Sequence, residues 1–347
     1  MASSAALVSQ IKAHAKALGF DAVGVTHVVP PRSNILPSSE PNTPDPVPLP
    51  LSQRLLNRLT RWLDQRFHGT MTWMERDPQR RSNPTKVLPG CQSMIVLGMN
   101  YFTNHMPDET HQAGRIARYA WGNDYHDFMK TRLKQLEDFI QGLTHGIQTR
   151  SYVDTGPIME KAWAQEAGIG WIGKHTNLVS NEYGSWLLLG EILTTLEMEP
   201  DEPFTDLCGS CSLCIQACPT DAIVEPYQLD AERCISYLTI EHRGALTDIA
   251  PELRKKMGNR IFGCDDCLDI CPFNVNAKPT FEPHFQPRSW TLHPPLSQLA
   301  SLSQEEFLNI TKGSPTRRPK YEGFIRNAEI AFYNQPPPTA TPSTAIQ

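Results

Sequence analysis

The sequence predicts a mixed α/β (α+β) protein in which a large N-terminal domain precedes a small cysteine-rich one. Three observations predict it. Helix-like and strand-like periodicities alternate over the first two hundred residues, eight of the nine cysteines crowd into the 64 residues from Cys208 to Cys271, and helical spacing returns near the C-terminus. The boundaries read as 1–199, 200–280 and 281–334, with 335–347, rich in Pro and Thr, as a disordered tail.

Periodicity justifies the elements in order. Residues 5–18 place Leu7, Ile11, Ala15 and Leu18 at helical spacing, and 22–28 read as a strand. Residues 30–50, rich in Pro and Ser, suit neither a helix nor a central strand and are expected to form a surface excursion. A helix follows over 51–67, a strand over 93–101, and a helix over 124–143 with Met129, Leu133, Leu136 and Ile140 inward. A strand over 149–153, a helix over 158–167 and two strands over 176–195 around Asn181-Glu-Tyr-Gly184 complete the large domain. Helical spacing over 321–332 closes the chain.

The cysteine window carries the chemistry. Cys208, Cys211, Cys214 and Cys218, followed by Pro219, give C-x2-C-x2-C-x3-C-P, the ligand spacing of two-cluster ferredoxins, in which the fourth cysteine serves the other cluster. Cys264, Cys267 and Cys271-Pro272 repeat it without a first ligand, because position 261 is Ile261. Cys234 is the nearby cysteine left to supply it. One [4Fe-4S] cluster is therefore assigned to Cys208, Cys211, Cys214 and Cys271, and a second to Cys218, Cys234, Cys264 and Cys267. A disulfide framework would suit a short secreted domain, and zinc knuckles give no reason for a triple run ending twice in Cys-Pro. Cys91, before an apolar strand, reads as buried packing.

Composition bounds the rest. At 347 residues, 39% hydrophobic and 20% charged, the chain is long enough to bury a sizeable core. A net charge of −5 argues against broad nonspecific binding to nucleic acid but leaves room for a local basic groove. Arg76, Arg80, Arg81 and Lys86, and Arg317, Arg318, Lys320 and Arg326, are the stretches that could form one, although each alone reads as a solvated face. The N-terminus shows neither a basic n-region nor a sustained apolar run, and no stretch reaches the roughly 18 apolar residues of a membrane span. Free thiolates and clusters need a reducing compartment, so a cytoplasmic protein is expected.

Clusters move single electrons, so a second centre must use them. Gly168-Ile-Gly170-Trp-Ile-Gly173 matches G-x-G-x-x-G, with Glu191 eighteen residues on, but follows a predicted helix and opens a strand, the reverse of a dinucleotide site. The glycines read instead as a tight turn or a close backbone approach. Upstream, Asp154 or Thr155 with Pro157 and Glu160 reads as a helix start, with a catalytic role as the rival reading.

Longer motifs make the chain recognisable. They are Val153-Asp154-Thr-Gly-Pro-Ile-Met-Glu160, Gly168-Ile-Gly-Trp-Ile-Gly-Lys174-His-Thr176-Asn177 and Tyr183-Gly-Ser-Trp-Leu-Leu-Leu-Gly-Glu191, with Cys234-Ile-Ser236-Tyr237 between the cysteine runs. Gly69-Thr-Met-Thr-Trp-Met-Glu-Arg76, Arg118-Tyr-Ala-Trp-Gly-Asn-Asp-Tyr125-His126 and Tyr321-Glu-Gly-Phe-Ile-Arg-Asn327 extend the pattern. From about residue 5 to 334 the chain resembles the epoxyqueuosine reductase family, apart from a longer proline-rich stretch and the absence of the helical-repeat extension some members carry.

The resemblance implies a cobalamin-dependent oxidoreductase that converts epoxyqueuosine at the tRNA wobble position to queuosine, the last step of its biosynthesis. It also implies an N-terminal cobalamin-binding domain like that of reductive dehalogenases. Under it, Asp154 is expected to donate a proton, its pKa raised by a closed apolar pocket, with Tyr125 and His126 positioning substrate or relaying protons. Arg76, Lys174, Thr176 and Asn177 are candidates for the corrin's amide rim, and Ser236 and Tyr237 for the meeting of corrin and cluster. The expected partners are an anticodon stem-loop bearing epoxyqueuosine, held at its phosphates by the basic stretches with His242 and Arg243, and an external flavodoxin or ferredoxin system. A monomer with no membrane association is expected. The runner-up is a dehalogenase-like cobalamin reductase acting on a small molecule, which would be exported behind a twin-arginine signal that this N-terminus lacks. A bare electron carrier would need no large domain ahead of the clusters.

Overall fold

Why helices and strands alternate along the chain without building a parallel sheet is answered by the pairing at its centre. The structure, a computed structural model, describes residues 4–28, 49–107, 112–275 and 277–335. Most of the expected surface excursion, and the tail from Pro336, lie outside the described residues. Four strands, β1 (Ala22–His27), β2 (Ser93–Asn100), β4 (Thr149–Tyr152) and β7 (Leu187–Thr194), form one sheet in the order β1-β2-β7-β4, antiparallel throughout. Every residue of β2 is buried, as a central strand covered on both faces requires.

One face carries α1 (Ser4–Ala17) and α4 (Tyr125–Leu143), which bury Ile11, Ala15, Met129, Leu133, Leu136 and Ile140 against Ile95, Leu97 and Ile192. Those four inward residues of α4 are the ones its period selects. The other face carries α5 (Glu160–Glu166) and α2 (Leu51–Asp64), with Trp163, Ala164 and Leu55 against Met94, Val96 and Leu193. Cys91 packs in this second core at 3% exposure, as expected. A short helix, α3 (Pro78–Ser82), follows α2 and packs on it.

The predicted helix over 158–167 starts later than expected, at Glu160 with Met159 before it. Asp154 therefore caps nothing. The two strands of 176–195 also part company: β6 (Leu178–Val179) pairs with β5 (Trp171–Ile172), whereas β7 enters the central sheet. The glycine motif follows α5 and contains β5, the context that excludes a dinucleotide site. A Cβ on Gly170 would stand 2.1 Å from the Val179 carbonyl oxygen, so only glycine permits the close approach of the two backbones.

The cysteine region holds α6 (Leu213–Gln216), the hairpin β8 (Ile223–Glu225) and β9 (Gln228–Leu229), then α7 (Ile235–Ile240), α8 (Pro251–Met257), β10 (Arg260–Phe262) and α9 (Asp266–Asp269). It does not stand apart. β10 pairs in parallel with β3 (Arg115–Ile116) from the large domain, and α10 (Leu296–Leu299), α11 (Gln304–Ile310) and α12 (Lys320–Tyr333) build a further core with them through Leu296, Phe307 and Phe324. All three predicted segments thus contribute to one layer. α12 adds a polar clamp: the guanidinium of Arg326 donates to the carbonyls of Leu238, His242 and Gly244, and Asn327 donates to those of Thr239 and Ile261. Among the described residues no helix is long and apolar enough to cross a membrane.

Candidate active site and cluster ligands

Through space the eight clustered thiols act on one another in two groups. Cys214 is repelled by Cys208, Cys271 and Cys211, and Cys271 by Cys208 and Cys211. Cys267 is repelled by Cys264, Cys234 and Cys218, and Cys234 by Cys218. Ile261, where a repeat would put the missing ligand, is a fully buried residue of β10 in the third core, and Cys234 stands at the start of α7. Burial first, then this mutual repulsion, pushes Cys214 and Cys267 upward in pKa. Iron reverses that, because it binds thiolate and releases the proton.

Nearby donors fit the same chemistry. The indole N–H of Trp171 lies 3.4 Å from Cys208 Sγ, and the Ala222 N–H donates to Cys218 Sγ at 3.2 Å. Such bonds tune a cluster's potential. Among the described residues no three His, Cys, Asp or Glu groups converge as ligands of one ion do; each thiol of a quartet would take its own iron. Cys211 is exposed, so the first quartet faces solvent. The second adjoins a cleft, because Lys161 in that cleft feels Cys267 and Cys234 as well as Glu160 and Asp154.

Asp154 stands in this cleft on a strained turn. Its φ is 55°, and the Thr155 N–H bonds the Val153 carbonyl across it, which makes a γ-turn with a positive central φ. That form is rare and strained, and persists only where surrounding structure holds it. The turn delivers the carboxylate to the N-terminus of α4. Tyr125 Oη donates to Asp154 Oδ2 at 3.3 Å, and His126 Nε2 stands 3.4 Å from the same oxygen. His126 Nδ1 is 2.7 Å from Asp124 Oδ1, and Asp124 also caps α4 through the His126 N–H.

With a carboxylate at each nitrogen, His126 carries both protons. Burial opposes its charge, but the bonds to Asp124 and Asp154 outweigh burial and lift its pKa to about 9. The bond from His126 in turn holds Asp154 below the usual carboxylate range, against burial. This corrects the expectation of a raised pKa in a closed apolar pocket. The Asp154 side chain keeps 62% of its exposure; protein surrounds it, but the cleft is open above it. At rest the proton of this pair sits on His126.

Behind the turn lie two carboxyls that sequence reasoning missed. Glu160 Oε1 accepts the Asp154 N–H at 2.7 Å. Glu191, on β7 in register with Val96 and Tyr152, is fully buried, and neither of its oxygens meets a donor. Keeping such a carboxyl neutral at pH 7 costs about 3.7 kcal/mol from its ordinary pKa, less than the several kcal/mol that burying an unpaired ion demands. Protonation wins. Burial, then the charge of Asp154, raises Glu160 to about 8, and burial, then the charge of Glu160, raises Glu191 well above its usual range. As two carboxylates they could only repel; with a proton between them they hydrogen bond. The available signal was a glutamate inside the apolar run Leu187-Leu-Leu-Gly-Glu191-Ile-Leu.

The remaining sequence candidates scatter. Lys161 Nζ donates to the Thr176 carbonyl at 2.9 Å and to Asn177 Oδ1 at 3.2 Å, which brings Thr176 and Asn177 into the Asp154 cleft. Thr176 has φ 69°, a second strained position there. Lys174 is turned to the first quartet, donating to the carbonyls of Gly209 and Cys211 at 2.6 and 2.8 Å. Tyr237 Oη accepts the Thr70 N–H at 2.7 Å and so anchors the loop that leads to Arg76, which is exposed. The N–H groups of Ser236 and Tyr237 bond the Cys234 sulfur.

Arg326 is buried in its clamp, so it is removed from the basic groove, and Arg318 pairs with Glu241 at 3.0 Å while still acting on Asp154. Arg76, Arg80, Lys86, Arg243, Arg317 and Lys320 are exposed. An open cleft with an acid on one side and cluster thiols on the other fits a redox group held between them.

The chain is similar to known proteins in both sequence and fold. Residues 81–155 match the family described as epoxyqueuosine reductase QueG, DUF1730, and residues 207–274 match the 4Fe-4S double cluster binding domain. The chain is 40% identical over 336 residues to the epoxyqueuosine reductase of Escherichia coli K12, covering 95% of this chain and 82% of that one. It is 44% identical over 283 residues to that of Xanthomonas campestris, covering 80% and 79%. Its fold matches a crystal structure of an epoxyqueuosine reductase with an epoxyqueuosine-modified tRNA-Tyr stem loop at TM-score 0.82 and 32% identity, covering 95% and 82%. It also matches the Bacillus subtilis enzyme, solved with a catalytic aspartate loop swung out of the active site, at TM-score 0.81 and 31% identity, again covering 95% and 82%.

Proposed function

The chain belongs to the epoxyqueuosine reductase family, and we propose that it reduces the epoxide of epoxyqueuosine at the tRNA wobble position to the alkene of queuosine, with Asp154 as proton donor. This favours the family's own reaction over the dehalogenase-like alternative. The observation that carries it is Asp154 itself: a carboxylate on a strained turn, bonded by Tyr125 and His126, open to the cleft and adjacent to the second cysteine quartet. The Bacillus subtilis relative, solved with a catalytic aspartate loop swung out of its active site, supports an aspartate on a turn in this role.

The reaction takes up two electrons and two protons and releases the epoxide oxygen as water. The two cysteine quartets would hold the clusters that supply the electrons, the solvent-facing one towards an external donor. Cobalamin held in the cleft would supply low-valent cobalt chemistry, and Thr176, Asn177 and Ser236 are the residues that would hold its polar rim. His126 keeps Asp154 charged while the cleft is open. Substrate that covers Asp154 removes water from it, which raises its pKa and moves the proton from His126 onto the carboxylate, facing the departing oxygen. The exposed Arg76, Arg80, Arg243, Arg317 and Lys320 suit the phosphates of an anticodon loop whose modified base is splayed out. A cytoplasmic monomer is consistent with this role.

The test is single turnover on an epoxyqueuosine-bearing anticodon stem-loop after anaerobic reconstitution with iron, sulfide and cobalamin. Wild type is expected to form queuosine, and Asp154→Asn to lose roughly 100-fold or more in rate while still binding stem-loop and corrinoid. Equal rates would end the role of Asp154. No queuosine from wild type that binds both would end the tRNA reading.

A further inference from the structure

An epoxide, two electrons and two protons give an alkene and one water, so this reaction needs two protons at one oxygen. Asp154 and His126 hold one between them. We propose that Glu160 and Glu191 share a second, and that this carboxyl pair is the store from which it reaches the site. The inference rests on the reaction proposed above.

The geometry carries it. Glu191 projects from the middle of the central sheet, beside Val96 of β2 and Tyr152 of β4, onto the face that α5 covers. It is fully buried, and neither oxygen finds a donor. Packing alone would be served better by an apolar side chain, since a carboxyl there must be stripped of water. The ionisable groups around the pair are Asp154 on the turn, Tyr125 on α4 and Lys161 on α5. Lys161 spends its hydrogen bonds on Thr176 and Asn177 and acts on Glu160 only through space, more weakly than the negative Asp154, so a shared proton is what neutralises the pair. Glu160 links the store to the acid: its Oε1 accepts the N–H of Asp154, and it is partly buried where Glu191 is fully buried.

Glu191→Gln keeps the shape, removes the acidic proton and offers Glu160 an amide N–H, which lets Glu160 ionise. Should that variant fold poorly, Glu160→Gln keeps an acceptor for the Asp154 N–H. Two readouts are taken. In single turnover on the epoxyqueuosine stem-loop, the wild-type rate is expected to fall as pH rises through about 8. The variant is expected to be roughly tenfold slower or more below that pH, to lose this alkaline step and to bind stem-loop unchanged.

The second readout needs no substrate. Folded wild type holds protons that the unfolded chain releases above the usual Glu value of 4.5, so its thermal stability should fall as pH rises from there through about 8. The variant should flatten that slope, and the infrared band of a protonated carboxyl present in wild type at neutral pH should disappear. A variant with the wild-type rate and pH profile overturns the proposal, as does a wild type without the protonated band. A wild type with the band but no product overturns the reaction instead, and the proton store's role with it.

Discussion

The two cysteine quartets and the acid cluster at Asp154 serve two halves of one reaction and are built in opposite ways. Each spans a similar length of chain, from Cys208 to Cys271 and from Asp124 to Glu191. The quartets are set by offsets of three or four residues, because one turn of chain must hand several thiolates to one cluster. The acids come one at a time from the cap of α4, a γ-turn, the first turn of α5 and the middle of β7. No offset is required of them, only donors and acceptors that meet. Thiolates in a quartet repel one another unless iron binds them, whereas the acids are each tuned by a neighbour within the chain.

The largest effect that could break this comparison is at Cys234. Cys234→Ser removes the one ligand that lies outside both runs. Reconstituted iron is expected to fall from about eight to about four atoms per chain, and queuosine formation should stop, because the quartet lost is the one beside the cleft. Iron analysis and the electron paramagnetic resonance of the reduced protein check it. Eight atoms retained would mean the quartets are drawn wrongly.

The difference also sets what could be read from residues alone. The double-cluster domain was legible from the cysteine spacing, and the proposal of Cys234 as a ligand came from the discrepancy at Ile261, which another cysteine would have to fill. The helices and strands of the large domain were legible from their period, with α4 correct down to its four inward residues. The sheet was less so: period does not tell which strands pair, and β6 and β7, adjacent in sequence, belong to different sheets. Asp154, Tyr125 and His126 came from a family resemblance, and the structure brings them together. The environment of Asp154 was misjudged, because its exposure and the charge on His126 depend on Asp124 and on a cleft that no local pattern encodes. Lys174 and Arg326 misled for a related reason: a charged side chain looks the same in sequence whether it faces a ligand or clamps backbone carbonyls.

A smaller effect sharpens the acid half. His126→Gln keeps a hydrogen-bonding group beside Asp154 but removes the charge, so the Asp154 pKa rises and the resting proton is lost. Single-turnover rate is expected to drop roughly tenfold, within the range of removed acid–base assistance. Stability gives the sign independently. A histidine whose folded pKa lies near 9, above the ordinary 6.5, adds stability that is fully present below about 6.5 and disappears as pH rises through about 9. The Tm difference between wild type and His126→Gln should therefore close across that window. A constant difference would assign His126 to packing.

The smallest effect concerns the ninth cysteine. Cys91 is 3% exposed in the α5-side core, its thiol 3.5 Å from the Ser93 carbonyl, and burial raises its pKa to about 11. It lies in a core that holds none of the eight clustered cysteines, and as a thiol at neutral pH it is not a ready target of oxidation. Cys91→Ala should leave reconstituted iron and queuosine formation unchanged and cost about 1 kcal/mol through a small cavity, a Tm loss of roughly 2 °C. Iron lost in Cys91→Ala would mean that burial near the central sheet does not separate a packing cysteine from a ligand. Iron retained, beside iron lost in Cys234→Ser, would show that separation made by position alone, between two residues of the same chemistry.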